Sequence, residues 1–391
     1  MFSLLLAIIY LAFISLGLPD SILGSGWPVM HGDLNVPTSF VGIISMTMSA
    51  GTIVSSLLSD RLIHKLGVGL ITTISAMLTA LGMIGFSLSH SFIELCFWAV
   101  PYGLGAGAVD AALNNYVAIH YSSRQMSWLH GMWGVGASIS PYIMSGSLTY
   151  GAGWQSGYRM VGIIQMILML IFFATLKMWK TGDKSSNGAS VAKSKPLGVM
   201  GALRIKGVPF VLLSFFGYCS MENTAMTWVS SYLVTQRAVD AVTAARFASL
   251  FLMGITAGRF LTGFFVDKVG DTKMIQVSGL IVIFGIVMII LPVSSSTPAL
   301  AGLMVMGLGC APIYPAVVHS TPVHFGRENS QAIVGIQMAS VYIGSTFMPP
   351  LFGLLSNVAM WAFPWYMLFF MLVMYLSHEM LIRTLSKTKS I

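Results

Sequence analysis

Long apolar stretches, each bounded by charges or turn signals, recur along this whole chain, and they constrain its fold more than any motif does. A bilayer's hydrocarbon is about 30 Å thick, so a helix crosses it with roughly 20 apolar residues. Stretches of that length fall near residues 2–30, 37–58, 68–88, 92–119, 126–149 and 157–178, and again near 206–235, 243–265, 272–292, 297–320, 329–356 and 364–383. Of the 391 residues 56% are hydrophobic and only 8% are charged. Soluble domains carry about 25% charged residues, and no soluble fold of this length could hide so much apolar surface. The expectation is an all-α polytopic membrane protein with twelve transmembrane helices. The 40 glycines fit the close helix approach that small residues allow in lipid. The first stretch has no basic n-region and no A-x-A-like cleavage signal, so it reads as a retained helix rather than a signal peptide.

A polar segment from Thr181 to Gly198, rich in Ser, Lys and Gly, separates the first six stretches from the last six. Its composition is that of a flexible linker. The organisation expected is a six-helix bundle over 1–180, a cytoplasmic linker over 181–205 and a second six-helix bundle over 206–391. Lys and Arg collect in alternate gaps: Arg61 and Lys65, then Arg124, then Lys177, Lys180, Lys184, Lys193, Lys195, Arg204 and Lys206 around the linker. Lys268 and Lys273, Arg327, and finally Arg383, Lys387 and Lys389 complete the series. The positive-inside rule puts these gaps and both termini in the cytoplasm. The formal net charge of +8 is therefore read as topology, and no nucleic-acid partner is expected. Cys96, Cys219 and Cys310 lie singly in apolar stretches, which indicates neither a zinc site nor a disulfide framework. There is no Walker-type loop, HExxH or nucleophile elbow, so neither ATP hydrolysis nor another enzymatic reaction is expected, and no cofactor or metal. No N-x-[ST] sequon appears, which favours a bacterial inner membrane.

An internal repeat supports the division. SSLLSDRLIHKLG (55–67) and GFFVDKVGDTKM (263–274) stand six stretches apart, between the second and third and between the eighth and ninth. Each sets an acid before two bases: Asp60 and Arg61 with Lys65, and Asp267 and Lys268 with Lys273. An acid at such a place can bridge to a facing helix and favour its N-terminal dipole, so the pair can latch one half against the other. Gly263 belongs to the second copy. Arg259 lies just upstream inside an apolar stretch, where a cation needs an acidic or carbonyl partner. It either joins the latch with Asp267 or pairs with an acid of another helix.

Three of the 12 acidic residues, Asp20, Asp110 and Glu222, lie well inside predicted spans. An ionised carboxylate in hydrocarbon costs several kcal/mol or more. Each must therefore face a cavity, pair, or stay protonated, which is what a proton-coupling group does and also what a structural hydrogen bond can satisfy. Asp110 and Asn114 are spaced i, i+4 and share a helix face, offering the donors and acceptors a hydroxylated solute needs. Asn115 points about 100° away, toward helix packing. Trp133, Trp27, Trp228 and Tyr232 are candidates to stack on a sugar ring or to serve in packing and interfacial belts. His130, one turn before Trp133, could relay protons or pack. Asn223, Tyr314 and Gln337 are weaker binding candidates. Pro312, Pro315, Pro349 and Pro350 interrupt the tenth and eleventh stretches, and such bends suit a rocking mechanism or static kinks alike.

The repeat resembles the G-x-x-x-D-[RK]-x-G-[RK]-[RK] motif of the major facilitator superfamily. Gly263, Asp267, Lys268 and Gly270 match it, whereas Ser56 and Ile63 replace the two glycines in the first copy. LPDSILGSGWP (18–28) and GAGAVDAALNNYV (105–117) are similar to that superfamily's fucose-permease-like branch, whose members are proton-coupled sugar symporters. In that branch an acid in each of these two helices serves coupling and sugar binding, with an Asn one turn after the second acid. Asp20, Asp110 and Asn114 match these positions. The resemblance implies a secondary carrier working by alternating access, coupled to protons (or to sodium) and moving a sugar or related small polar solute. Proton-driven efflux of amphipathic solutes is the alternative. A monomer embedded in the bilayer is expected.

Overall fold

The computed structural model describes residues 4–37, 40–179, 197–239, 241–293 and 295–389, and among these it holds helices and turns but no strand. The first passage is α1 (Leu4–Asp20) and α2 (Ile22–Asp33), broken at Ser21, directly after Pro19 and Asp20. Then come α3 (Val41–Leu66), α4 (Val68–Leu88), α5 (Phe92–His120), α6 (Ser123–Thr149) and α7 (Gly153–Ala174). A short α8 (Gly198–Leu203) precedes α9 (Val208–Arg237), α10 (Ala241–Thr262), α11 (Val266–Val269) and α12 (Asp271–Ile290). The tenth passage is split into α13 (Thr297–Cys310) and α14 (Ile313–Phe325), and α15 (Arg327–Ala359) and α16 (Phe363–Lys389) close the chain. Counting the broken passages once, twelve long helical passages stand among the described residues.

One expected boundary needs correction. The second stretch does not end near residue 58, because α3 runs on to Leu66 and carries Asp60, Arg61 and Lys65 within the helix rather than in a gap. Charge marks where the hydrocarbon ends, while the helix continues past it and stops at Gly67, whose φ of 77° is the left-handed conformation that glycine adopts without strain. Of the linker expected over 181–205, residues 181–196 fall outside the described residues, and α8 lies in its remaining part.

The chain forms two compact units. The first holds residues 1–120, 129–199 and 328–339; the second holds 121–128, 200–327 and 340–391. Thus α6, α8 and α15 each contribute to both.

Packing in each unit depends on close backbone approach. In the first, the Gly103 and Gly107 faces of α5 meet the Met48 and Thr52 carbonyls of α3, and Ser56 donates to Gly107 O at 3.0 Å. Gly17 of α1 and Gly136 of α6 bring those helices together, where Ser21 and Ser140 donate to the Ala137 and Leu18 carbonyls. Ser15 and Gln165 tie α1 to α7 reciprocally. In the second unit, Gly285 of α12 and Gly302 of α13 lie against each other's backbone, and Gly217 of α9 lies against α16. Large apolar side chains face outward, among them Ile93, Phe97, Val323 and Leu354, a surface that lipid tails accept. Nine passages among the described residues are long and apolar enough to cross a membrane. The α6, α9 and α10 helices are not among the nine, and α6 and α9 carry His130, Trp133, Glu222 and Asn223.

Candidate functional site

The break after α1 leaves Asp20 at a helix end, exposed although it lies inside the apolar Leu4–Trp27 span. Its carboxylate is held on both sides: Tyr102 of α5 donates to Oδ1 at 2.6 Å, and the Trp133 indole of α6 donates to Oδ2 at 2.8 Å. Hydrogen bonds to a charged group are worth about 1.5–3 kcal/mol each, enough to fix the carboxylate's orientation.

A second chain runs deeper in the same unit. Asn114 Nδ2 donates to Asp110 Oδ1 at 2.8 Å, and His130 Nε2 donates to Asn114 Oδ1 at 3.0 Å. All three are buried. The Phe13 ring meets His130 edge-on at 5.4 Å, and Met338 Sδ lies 3.9 Å from Asn114 Nδ2. Because Trp133 follows His130 by three residues on α6, neighbouring turns of that helix serve the Asp20 and the Asp110 chains. Asn115 is buried with its Oδ1 unpaired. Trp27 is buried in packing beside His31, and Gln337 is fully buried in the α15 segment that belongs to this unit.

The second unit holds a separate buried group. Glu222 Oε1 lies 2.9 Å from the Tyr218 hydroxyl and 3.6 Å from Arg259 Nη2. Of the two placements the sequence leaves open to Arg259, the structure has the second, beside an acid of another helix. Four aromatic and amide candidates are engaged in backbone bonds or ring packing. Trp228 donates to the Pro349 carbonyl at 2.9 Å, Asn223 to the Cys219 carbonyl at 3.0 Å, and Tyr314 packs on Phe215 at 4.6 Å between ring centroids. Tyr232 packs on Phe363.

The repeated acids differ in what they hold. Asp267 meets the start of α6: its Oδ1 accepts from the Arg124 backbone N–H at 3.0 Å, its Oδ2 accepts from Ser122 at 3.2 Å, and Arg124 Nε is 3.6 Å away. Arg124 Nε also donates to the Gly263 carbonyl, and Trp128 donates to the Phe260 carbonyl, its ring against Gly263. Asp271 adds a third tie, pairing with His319 at 2.6 Å and accepting from Ser123 at 2.7 Å. Asp60 instead pairs with His64 on its own helix at 3.2 Å and accepts from the Gly198 N–H at 3.5 Å. Among the described contacts, Arg61, Lys65 and Lys268 take part in neither cluster.

Tyr102, Tyr218, Ser122 to Arg124, Trp128, Asp271 and His319 were not legible as site residues. A tyrosine in an apolar stretch has the pattern of packing, and the acid that Tyr102 serves is 82 residues away in sequence.

Paired helical passages of spanning length, with carboxylates on their intramembrane faces, define a polytopic carrier of small solutes. Residues 9–304 and 248–389 match the model of the Major Facilitator Superfamily, and the chain belongs to that family. It is a multi-pass integral membrane transporter. Among curated relatives it is 23% identical to Bypass of stop codon protein 6 of Saccharomyces cerevisiae, over 66% of this chain and 56% of that protein, so the match spans little more than half the yeast protein. It is 26% identical to the uncharacterized transporter y4wD of Sinorhizobium fredii, over 85% of this chain and 86% of the relative. It is 22% identical to the hexuronate transporter of Bacillus subtilis, over 66% and 64%. The fold is that of FucP in the outward conformation (TM-score 0.77, 14% identity, 97% and 98% covered). The proton:xylose symporter XylE is equally similar in fold (TM-score 0.80, 12% identity, 97% and 95% covered).

Proposed function

We propose that this transporter is a proton-coupled symporter of a sugar or related small polar solute, lying in a bacterial inner membrane with both termini cytoplasmic. The observation that carries the reading is the grip on Asp20. With Tyr102 and Trp133 each donating, the ionised carboxylate is satisfied in a position where hydrocarbon would penalise it. A proton arriving on Oδ2 changes that. The acid then has a hydrogen of its own there, and the indole N–H, which can only donate, meets a neutral oxygen in place of a charged one, a weaker acceptor. Protonation therefore loosens the hold on the Trp133 ring, a half-buried aromatic face of the kind that stacks on the C–H faces of a sugar. Asp110, Asn114 and His130 supply the acceptors and donors for hydroxyls on the neighbouring turn. Neutralising Asp20 also lowers the cost of closing the protein around it. Substrate moves the equilibrium between states only through its differential affinity for them, and binding that needs the protonated acid provides that difference. The names of FucP, XylE and the hexuronate transporter, each tied to sugar-type solutes, support the same substrate class.

The test is uptake into proteoliposomes of labelled monosaccharides and a hexuronate, driven by an inward proton gradient. Saturable uptake that follows the gradient and is lost in Asp20→Asn and Asp110→Asn is the expected result. Absence of uptake of every sugar by folded protein, with proton-driven extrusion of amphipathic cations, would replace symport with efflux.

A further inference from the structure

The buried groups around Glu222 contain too few hydrogens for an ionised carboxylate as they stand. Glu222 follows Tyr218 by one turn of α9, so the two side chains share a face. The Tyr218 hydroxyl lies 2.9 Å from Glu222 Oε1 and also 2.9 Å from the main-chain oxygen of Cys310. A phenol has a single hydrogen to donate, and a main-chain carbonyl can only accept. An ionised Glu222 can only accept as well, so one of the two contacts would set oxygen against oxygen with no hydrogen between them. A protonated Glu222 resolves the conflict. Its own hydroxyl donates to Tyr218 Oη, and Tyr218 donates to Cys310.

Arg259 provides for the other state. Its Nη2 is 3.6 Å from Oε1, outside hydrogen-bond reach, and the two side chains are only 5% and 9% exposed. A movement of less than about 1 Å turns that approach into a charge-assisted hydrogen bond, which an ionised Glu222 requires and a protonated one does not. The other elements packed around α9 leave this balance undisturbed. Cys219 on α9 and the Cys310 thiol on α13 are the titratable neighbours, α14 presents Tyr314 to Phe215, and α16 presents Phe370 and Met374 to Phe216 and Gly217.

The carbonyl at the far end of this chain is no ordinary one. Cys310 is the last residue of α13, directly before the break at Ala311 and Pro312. The last carbonyls of a helix have no donor within it, so Tyr218 supplies what the broken passage cannot. We infer that Glu222 is a proton-operated switch for the α13–α14 break: protonated, it lets Tyr218 hold the Cys310 carbonyl; ionised, it turns to Arg259 and draws the Tyr218 hydrogen to itself, releasing that carbonyl. The proton comes from water and returns to it, and no other group changes its protonation. The role of this switch in transport rests on the proposed proton coupling.

Two readouts on the full chain in liposomes test it. Difference infrared spectroscopy detects protonated carboxyls as pH is varied. Nitroxides attached through Leu308→Cys and Val323→Cys, in a protein whose Cys96 is replaced by Ser, report the geometry across the break from residues 51% and 70% exposed. The expected result is a protonated-carboxyl band that titrates with pH, vanishes in Glu222→Gln and persists in Asp20→Asn and Asp110→Asn. The distance between the labels shifts with the same titration, and Tyr218→Phe, which keeps the carboxyl, abolishes the shift. A wild-type protein showing no band from Glu222, or a Tyr218→Phe protein whose label distance still follows pH, overturns the inference. Intact proton-driven sugar uptake without the band refutes the switch alone. A titrating band with its distance shift but no sugar uptake supports the switch and removes the proposed substrate.

Discussion

Asp20 shows how a few hydrogen bonds can make an intramembrane charge usable. Tyr102→Phe deletes the donor at 2.6 Å from Oδ1 and keeps the ring. The loss of a hydrogen bond to a charged group, about 1.5 kcal/mol or more, predicts at least a tenfold fall in kcat/KM for proton-driven uptake. Trp133→Phe, which deletes the donor at 2.8 Å, is expected to cost as much or more, because it also trims the stacking face. Initial uptake rates in proteoliposomes check both, and an unchanged rate in Tyr102→Phe would show that Tyr102 serves packing alone. The acids in these groups were legible in the sequence because a charge in an apolar span needs a reason. Asn114, one turn after Asp110, was legible too, but the aromatic partners were not. Tyr102, Tyr218 and Trp133 have the pattern of membrane aromatics, and only the fold shows which of them meets a carboxylate. Trp228, Tyr314 and Asn223 have the same pattern and turn out to be engaged in packing and backbone bonds.

Among the elements, α3 and α5 show what the glycines accomplish. A Cβ at Gly103 would overlap the Met48 carbonyl, whereas one at Gly42 would meet nothing within 4 Å. Gly103→Ala should therefore force α3 and α5 apart and cost about 1–3 kcal/mol, while Gly42→Ala should be neutral or slightly stabilising, as Ala is the better helix former. Thermal unfolding of the detergent-solubilised proteins separates the two, and equal midpoints would remove close approach as the basis of this packing. The elements themselves were largely legible, because spans of apolar residues have few other solutions. Their ends were less so. Charge-based boundaries cut α3 at residue 58, although the helix carries its charges on to Leu66. The interruptions at Ser21 and at Ala311 to Pro312 each have a proline beside them, but a proline permits a break without requiring one. The latch motif was legible as a repeat, yet its two copies differ in partners, which equivalence in sequence cannot show.

At the scale of the whole molecule, α6, α8 and α15 each contribute residues to both compact units. The first turns of α6 are held by Asp267, which takes the Arg124 N–H, the Ser122 hydroxyl and the Arg124 side chain. A carboxylate on free N–H groups at a helix start is worth about 0.5–2 kcal/mol. The ion pair itself adds less, because its partners are 40% and 33% exposed and solvent screens them. If this contact is a latch, its loss should not weaken α6 evenly. Asp267→Ala should raise amide hydrogen exchange across residues 121–128 by about tenfold and leave residues 129–149, which pack in the first unit, nearly unchanged. Asp60→Ala should leave the 121–128 amides alone, since Asp60 is occupied with His64 and the start of α8. Exchange measured peptide by peptide distinguishes these outcomes. A rise spread evenly over α6 would mean that Asp267 stabilises the helix as such, and the functional asymmetry between the two copies of the motif would have to be given up.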